Sequence, residues 1–459
     1  MRISGRAPSR KRSEGARRYA GPVSGLDDLP EPWRRGFGWI ERALGGRIVR
    51  AERQARWRPA WFLDLERDGE SLPLYFRGAR PEMGGAGERA LERELRIFEV
   101  LEAHDIPVPH VYGLCPEPRG IVMQRCPGRA NLATAESDAE REAVLDDYMA
   151  ILARMHRIDI AAFDATGLAR PETPEQAALL DFDEWERAYR MRTRRPEPAL
   201  EFLIRWVRRE VPRDRSRTAF VCADSGQFLF ENGGVTAVLD LELACLGDPA
   251  ADLGALPGRD VSEPLGDLSR AVRRYEELTE SVERRIVDFH TVRFSLLTPL
   301  ALAHLVVDPL PGVDFVQYLG WYLVWTRCPL EIIGAGLGVE LDPPPGADAR
   351  HPATAGARDF ADYEADAAAR LATYRERSER MTPALEAAYL DDLAPLLGGR
   401  PSSRQAADAA LVALIREAPP ERDGELVPLL HRQAVRDESI LEPVMRELRG
   451  ATMQRIREP

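Results

Sequence analysis

The hydrophobic period of this chain changes near Arg129, and that change restricts the folds open to it. Before it, apolar residues come in short runs broken by turn residues. RIVRAERQ, AWFLDLE and PLYFRG read as three strands, separated by RWRP and RDGE. ERALERELRIFEVLEAHD follows, with Leu91, Leu95, Phe98 and Leu101 at helical spacing. VPHVYGLCP and GIVMQRC give two further short strands. Sequential short strands with one helix laid on them predict a small antiparallel α+β lobe. After Arg129 the period is helical, as in DAEREAVLDDYMAILARMHRI and PALEFLIRWVRREV. The exception is Thr218 to Asp240, read as two short strands joined by an Asn-Gly-Gly turn.

Four regions follow from this pattern. Residues 1–31, rich in Arg, Ser and Gly, read as a flexible basic tail. Residues 32–128 form the α+β lobe. Residues 129–345 form a helical lobe holding the segment 218–256. Residues 346–459 read as a helical C-terminal module in separate helices, DFADYEADAAARLATYRERSERM, TPALEAAYLDDLAPLLG and those after them.

Composition removes several classes of function. Lys11 is the only lysine, so a core lysine for Schiff-base chemistry or a Walker A loop is excluded. Anions must be held by arginine, backbone N–H groups or a metal. The net charge of −12 argues against a nucleic-acid partner, which needs a basic face. No apolar run reaches the roughly 18 residues of a membrane helix, so no membrane partner is expected. Five cysteines without a CxxC pair, and no apolar leader, point to a reducing, cytoplasmic setting.

The chemistry concentrates in FVCADSGQFLFENGGVTAVLDLELACLGDPAADLGAL, residues 220–256. Asp224 and Asp240 each end a strand-like run, and a hairpin between them would carry both acids to one end. Paired acids there suit two jobs: taking a hydroxyl proton and holding a divalent cation. Gln227 offers a neutral carbonyl oxygen between them. Against this, Asp before a turn or at a helix N-cap is common for structural reasons alone.

This segment resembles the catalytic core of the aminoglycoside phosphotransferase family, within the protein-kinase-like superfamily. The family carries HGD, four residues, Asn, a strand, an LDWE-type motif and GDPxxDL. This chain has CADSGQFLF, then VTAVLDLELACLGDPAADL. ERELRIFEVLEAHDIPVPHVYGL, GIVMQRCPGR and LARMHRID resemble further family pieces in the same order, over roughly residues 33–345. The resemblance implies a two-lobed protein-kinase-like fold: a small antiparallel-sheet N-lobe, a mainly helical C-lobe and a C-terminal helical extension.

By position, the resemblance makes Asp224 the catalytic acid and gives Gln227 and Asp240 the metal. It sets Arg77 against the nucleotide phosphates, paired with Glu94, and lays Gln124, Arg125 and Cys126 along the adenine hinge. Asp248 and Asp252 become loop-supporting acids. ATP, Mg²⁺ and a small-molecule hydroxyl acceptor are the implied ligands.

The chain also departs from the family pattern. Cys222 and Ala223 stand where the family has His and Gly, and only Ser225 and Gly226 separate Asp224 from Gln227. No G-x-G-x-x-G loop is present, so Arg56 or Arg58 would approach the phosphates instead. Three readings stand: an ATP-dependent small-molecule phosphotransferase, a catalytically degraded kinase-like binder of a nucleotide or metabolite, and a helical scaffold that forms homo- or hetero-oligomers through its C-terminal helices.

Overall fold

In the computed structural model, the structure describes residues 26, 29–54, 58–79, 84–310, 313–347 and 360–457. Most of the expected basic tail and Arg56 lie outside these residues. The chain divides into two compact units. The first comprises residues 1–95, 109–125 and 355–369; the second holds the rest.

The first unit is built on a five-stranded antiparallel sheet. Helix α1 (Glu31–Leu44) precedes β1 (Arg47–Arg53), β2 (Ala60–Arg67) and β3 (Glu70–Gly78). Helix α2 (Gly84–Ala103) follows, then β4 (Val111–Pro116) and β5 (Arg119–Gln124). The sheet order is β1-β2-β3-β5-β4. Trp61, Leu63 and Leu65 alternate along β2 and are all buried, the period-2 pattern that fixes register when one face is covered. On that face Trp33 and Phe37 of α1 meet Trp61 and Phe76, with ring centroids 5.1–5.9 Å apart. Gly120 of β5 admits this cluster: a Cβ there would lie 2.3 Å from Phe76 Cζ.

The second unit is mainly helical. Its helices before the catalytic segment are α3 (Asp138–Met155), α4 (Pro174–Leu179), α5 (Phe182–Arg192) and α6 (Pro198–Glu210). Ser137 caps α3 by accepting from Glu140 N–H, as expected of a serine N-cap.

Four short strands then form two separate ribbons. The first pairs β6 (Ala219–Val221) with β9 (Cys245–Gly247). The second is a hairpin of β7 (Phe228–Glu231) and β8 (Gly234–Val238), turning at Asn232-Gly233. This corrects the expected single hairpin between the two acids. Asp224 leaves β6, whose partner is β9, whereas Asp240 leaves β8. Three-residue strands carry too little alternation to reveal a partner so distant in sequence.

Helices α7 (Ala250–Ser262), α8 (Leu268–Leu278), α9 (Arg284–Leu302) and α10 (Phe315–Leu337) come next. They precede α11 (Phe360–Leu397), α12 (Arg404–Glu417) and α13 (Asp423–Leu441). The two helices expected over residues 359–398 are one, with Pro383 inside it. Proline removes one backbone donor but does not by itself end a helix whose flanks are held by packing. Residues of α12, α13 and the stretch to Met453 share one hydrophobic core with residues of α5, α6, α9 and α10.

Candidate active site

Asp252, at the start of α7, organises the loop that carries Asp224. It is fully buried. Its carboxylate accepts from Cys222 N–H at 3.0 Å, Ala223 N–H at 2.9 Å and His156 Nε2 at 2.9 Å. With Nε2 donating to Asp252, His156 Nδ1 accepts from the Tyr275 hydroxyl at 2.7 Å. A buried carboxylate with three donors is satisfied rather than stranded. It also pulls Ala223 into the left-handed region (φ 60°), a conformation that favours glycine and turns the next residue out of the strand line. Ser225 Oγ donates to the Asp252 carbonyl, and Gly226 N–H donates to the Tyr148 hydroxyl at 2.7 Å. Cys222, Ala223, Ser225 and Gly226 are therefore each tied to α3 or α7.

The Asp224 carboxylate is left half-buried, held from two sides. Arg259 Nη2 of α7 donates to Oδ1 at 2.8 Å and Oδ2 at 2.9 Å. Gln227 Nε2 donates to Oδ2 at 2.7 Å. Burial pushes the Asp224 carboxyl above its ordinary value; Arg259 pulls against it, and Asp240 and Glu242 add to the rise. Asp240 thus lies within electrostatic reach of Asp224, and its own backbone is left-handed (φ 55°).

Asp248 supports the same segment from behind. Its carboxylate accepts from Ala250 N–H at 3.0 Å and Arg215 Nη2 at 2.9 Å, with His290 Nε2 at 3.4 Å. Burial alone would raise this group, but His290 and Arg215 hold it well below the usual carboxylate range. Cys222 is buried, and burial drives its thiol well above the ordinary range, so it has no thiolate character.

A magnesium ion calls for oxygen donors, usually one or two carboxylates plus substrate phosphates and water. Asp240 supplies a carboxylate. Gln227 supplies Oε1, because its amide nitrogen is committed to Asp224. That donor set fits such an ion. Among the described residues no cluster of three or more His, Cys, Asp or Glu side chains forms a protein-only metal cage.

In the first unit, Arg77 of β3 lies between Ala60 of β2 and Ile121 of β5. Its Nε donates to Glu94 Oε2 of α2 at 3.0 Å, with both side chains buried. Arg58 is buried there too. Gln124 ends β5, exposed, with its N–H on His110 O at 2.8 Å. The Arg125 guanidinium is committed to Asp64 at 2.6 Å and lies over the Phe62 ring. In the second unit Cys126 is a half-buried free thiol, raised by burial to about 11.

Two residues of this arrangement escape sequence reasoning. Arg259 of α7 reaches Asp224 across 35 residues of sequence, and His156, at the C-cap of α3, reaches Asp252 across 96. Only the amphipathic stretch ending at His156 was visible; the helix bearing Arg259 was not.

An antiparallel five-stranded unit, a helical unit and an acid-bearing loop beside a β-hairpin define a kinase-like small-molecule phosphotransferase fold. Residues 58–285 match the profile of the Phosphotransferase enzyme family (APH). Acyl-CoA dehydrogenase family member 10 of Mus musculus is 34% identical over 178 residues, covering 36% of this chain and 16% of that protein. Acyl-CoA dehydrogenase family member 11 of Gallus gallus is 27% identical over 234 residues, covering 47% of this chain and 28% of that protein. The chain thus spans less than a third of the length of these relatives, and the activity in their names is not carried over to it. A solved structure of a putative aminoglycoside phosphotransferase from Ralstonia eutropha has a TM-score of 0.49 and 22% identity, covering 62% of this chain and 92% of that one. No helix among the described residues is long and apolar enough to cross a membrane.

Proposed function

We propose that this protein transfers the γ-phosphoryl group of ATP to a hydroxyl of a small molecule. The observation that carries the reading is the placement of Asp224: a partly accessible carboxylate on a loop locked by Asp252, within the matched family segment. Asp224 accepts the hydroxyl proton while the acceptor oxygen bonds to phosphorus and the bond to the β-phosphate oxygen breaks. A raised carboxyl is a better base for that step than an ordinary one. Asp240 and Gln227 Oε1 would hold Mg²⁺, which would supply charge neutralisation at the phosphates. Arg77, oriented by Glu94, meets phosphate oxygens with its planar fork. Backbone at Gln124 to Cys126 takes the adenine edge, since the Arg125 side chain is occupied.

One observation favours the binding-only alternative. Arg259 and Gln227 together engage both Asp224 oxygens, leaving less room for a hydroxyl proton. Calorimetric titration with ATP, with and without Mg²⁺, followed by ADP release against hydroxylated acceptors, separates the two. Transfer predicts metal-dependent binding, turnover lost in Asp224→Asn with nucleotide affinity kept, and turnover lost in Asp240→Ala. Full activity in Asp240→Ala sinks the transfer reading. Metal-independent binding without ADP release for any acceptor supports the alternative.

A further inference from the structure

Gln227 has a long side chain with one anchor. Its Nε2 donates to Asp224 Oδ2 at 2.7 Å. Its Oε1 makes no hydrogen bond among the described residues and is not shut off from solvent. One hydrogen bond does not fix where that oxygen points, so its direction is set by the backbone from which the side chain leaves. The Gln227 carbonyl accepts from Leu239 N–H at 2.9 Å, which ties that backbone to the end of β8.

The remaining constraint comes from one side chain, Tyr148 of α3, which is fully buried. Its hydroxyl accepts from Gly226 N–H at 2.7 Å. Its ring lies against Phe228, with centroids 4.7 Å apart and planes inclined by 35°. Gly226 and Phe228 are the two chain neighbours of Gln227. The polar tip of Tyr148 thus holds the residue before Gln227, and its apolar body holds the residue after it. Gly226 takes φ 92° at that point, so the chain bends immediately before Gln227. A segment gripped on both sides cannot turn about its axis without breaking one of the two contacts. Burial pushes the Tyr148 hydroxyl well above its ordinary value, so it stays neutral and keeps its hydrogen bond across the working pH range.

We propose that Tyr148 is a positioning residue for cation binding: by gripping Gly226 and Phe228 it aims Gln227 Oε1 at the ion that Asp240 would share. The inference rests on the phosphotransferase reading. Arg259 and Asp252 of α7 fix Asp224 and its loop, and Tyr148 of α3 fixes Gln227. The base and the neutral cation donor are therefore set by different helices and can be perturbed separately. Being fully buried, Tyr148 acts through Gln227 alone.

The test is calorimetric titration of the full chain with ATP, with and without Mg²⁺, in wild type, Tyr148→Phe, Gln227→Ala and the double variant. The quantity read is the gain in ATP affinity that Mg²⁺ brings. Tyr148→Phe keeps the ring on Phe228 and removes only the hydroxyl. Its metal-dependent gain is expected to fall by about five- to tenfold, with metal-free ATP affinity unchanged. Gln227→Ala should lose at least as much. In the Gln227→Ala background Tyr148→Phe should remove nothing further, because residues acting through one another are not additive. A tyrosine with a structural role alone would lower the melting temperature and leave the metal-dependent gain intact. Should Tyr148→Phe fail to fold, Phe228→Leu removes the other contact and carries the same comparison. A full metal-dependent gain in Tyr148→Phe, or an equal further loss on top of Gln227→Ala, overturns the inference and leaves the phosphotransferase reading standing. No metal-dependent gain in the wild type overturns that reading's cation and this inference together.

Discussion

Asp224 carries opposing pressures, and their balance is measurable. Burial raises its carboxyl, and Arg259 opposes the rise without cancelling it. A base that must be ionised loses activity as pH falls through its own pKa. The acid limb of kcat/KM is therefore expected above the ordinary Asp value of about 3.9. Arg259→Met removes the only cation hydrogen-bonded to Asp224 among the described residues, so the limb moves to higher pH. A pH profile in which it stays put or moves down contradicts this. Asp248 has the opposite sign. Its folded-state pKa is depressed by His290 and Arg215, so its stabilisation is present above about pH 4 and lost as pH falls through the folded value. Urea midpoints measured across the acid range should therefore fall less steeply in Asp248→Asn than in the parent, which starts from higher stability at neutral pH.

Elements with enough residues to show a period were legible; shorter ones were not. β1 to β5 and α2 follow from alternation and helical spacing along RIVRAERQ, AWFLDLE and ERELRIFEVLEA. β9, three residues long, and its pairing with β6 do not. Asp224, Gln227 and Asp240 were visible because they crowd one segment, whereas His156 and Arg259 converge only through helix packing. β9 also depends on Gly247, which sits against α4. A Cβ at that position would lie 1.9 Å from Leu180 Cδ2 and 2.7 Å from the Ala177 carbonyl. Gly247→Ala is therefore expected to cost about 1–3 kcal/mol by overpacking. Because β9 is the partner of β6, the loop after β6 loosens with it, and turnover falls along with the denaturation midpoint.

At the scale of the molecule, the C-terminal helices from residue 370 on are continuous with the helical unit rather than appended to it. Leu393, Leu411, Leu426, Leu441 and Leu448 are buried in the same cluster as Leu203, Phe289 and Leu330. Arg327 of α10 makes the dependence sharper. It is fully buried, donates to Glu438 at 2.6 Å and to the Ala451 carbonyl at 2.6 Å, and pairs with Glu331. Removing residues 346–459 uncovers the leucine faces and takes away Glu438 and the Ala451 carbonyl together. Breaking a buried ion pair from one side costs about 3–5 kcal/mol, a large part of the roughly 5–15 kcal/mol that holds a domain folded. A chain ending at Pro345 is thus expected to aggregate or to lose its cooperative thermal transition, even though residues 58–285 contain the whole family match. Glu438→Gln in the full chain isolates the charge from the packing. It should lower the melting temperature while leaving the chain folded, because Glu331 still pairs with Arg327. A soluble truncation with a cooperative transition would mean that the C-terminal helices are a separable module, and that the shared core does not hold the helical unit together.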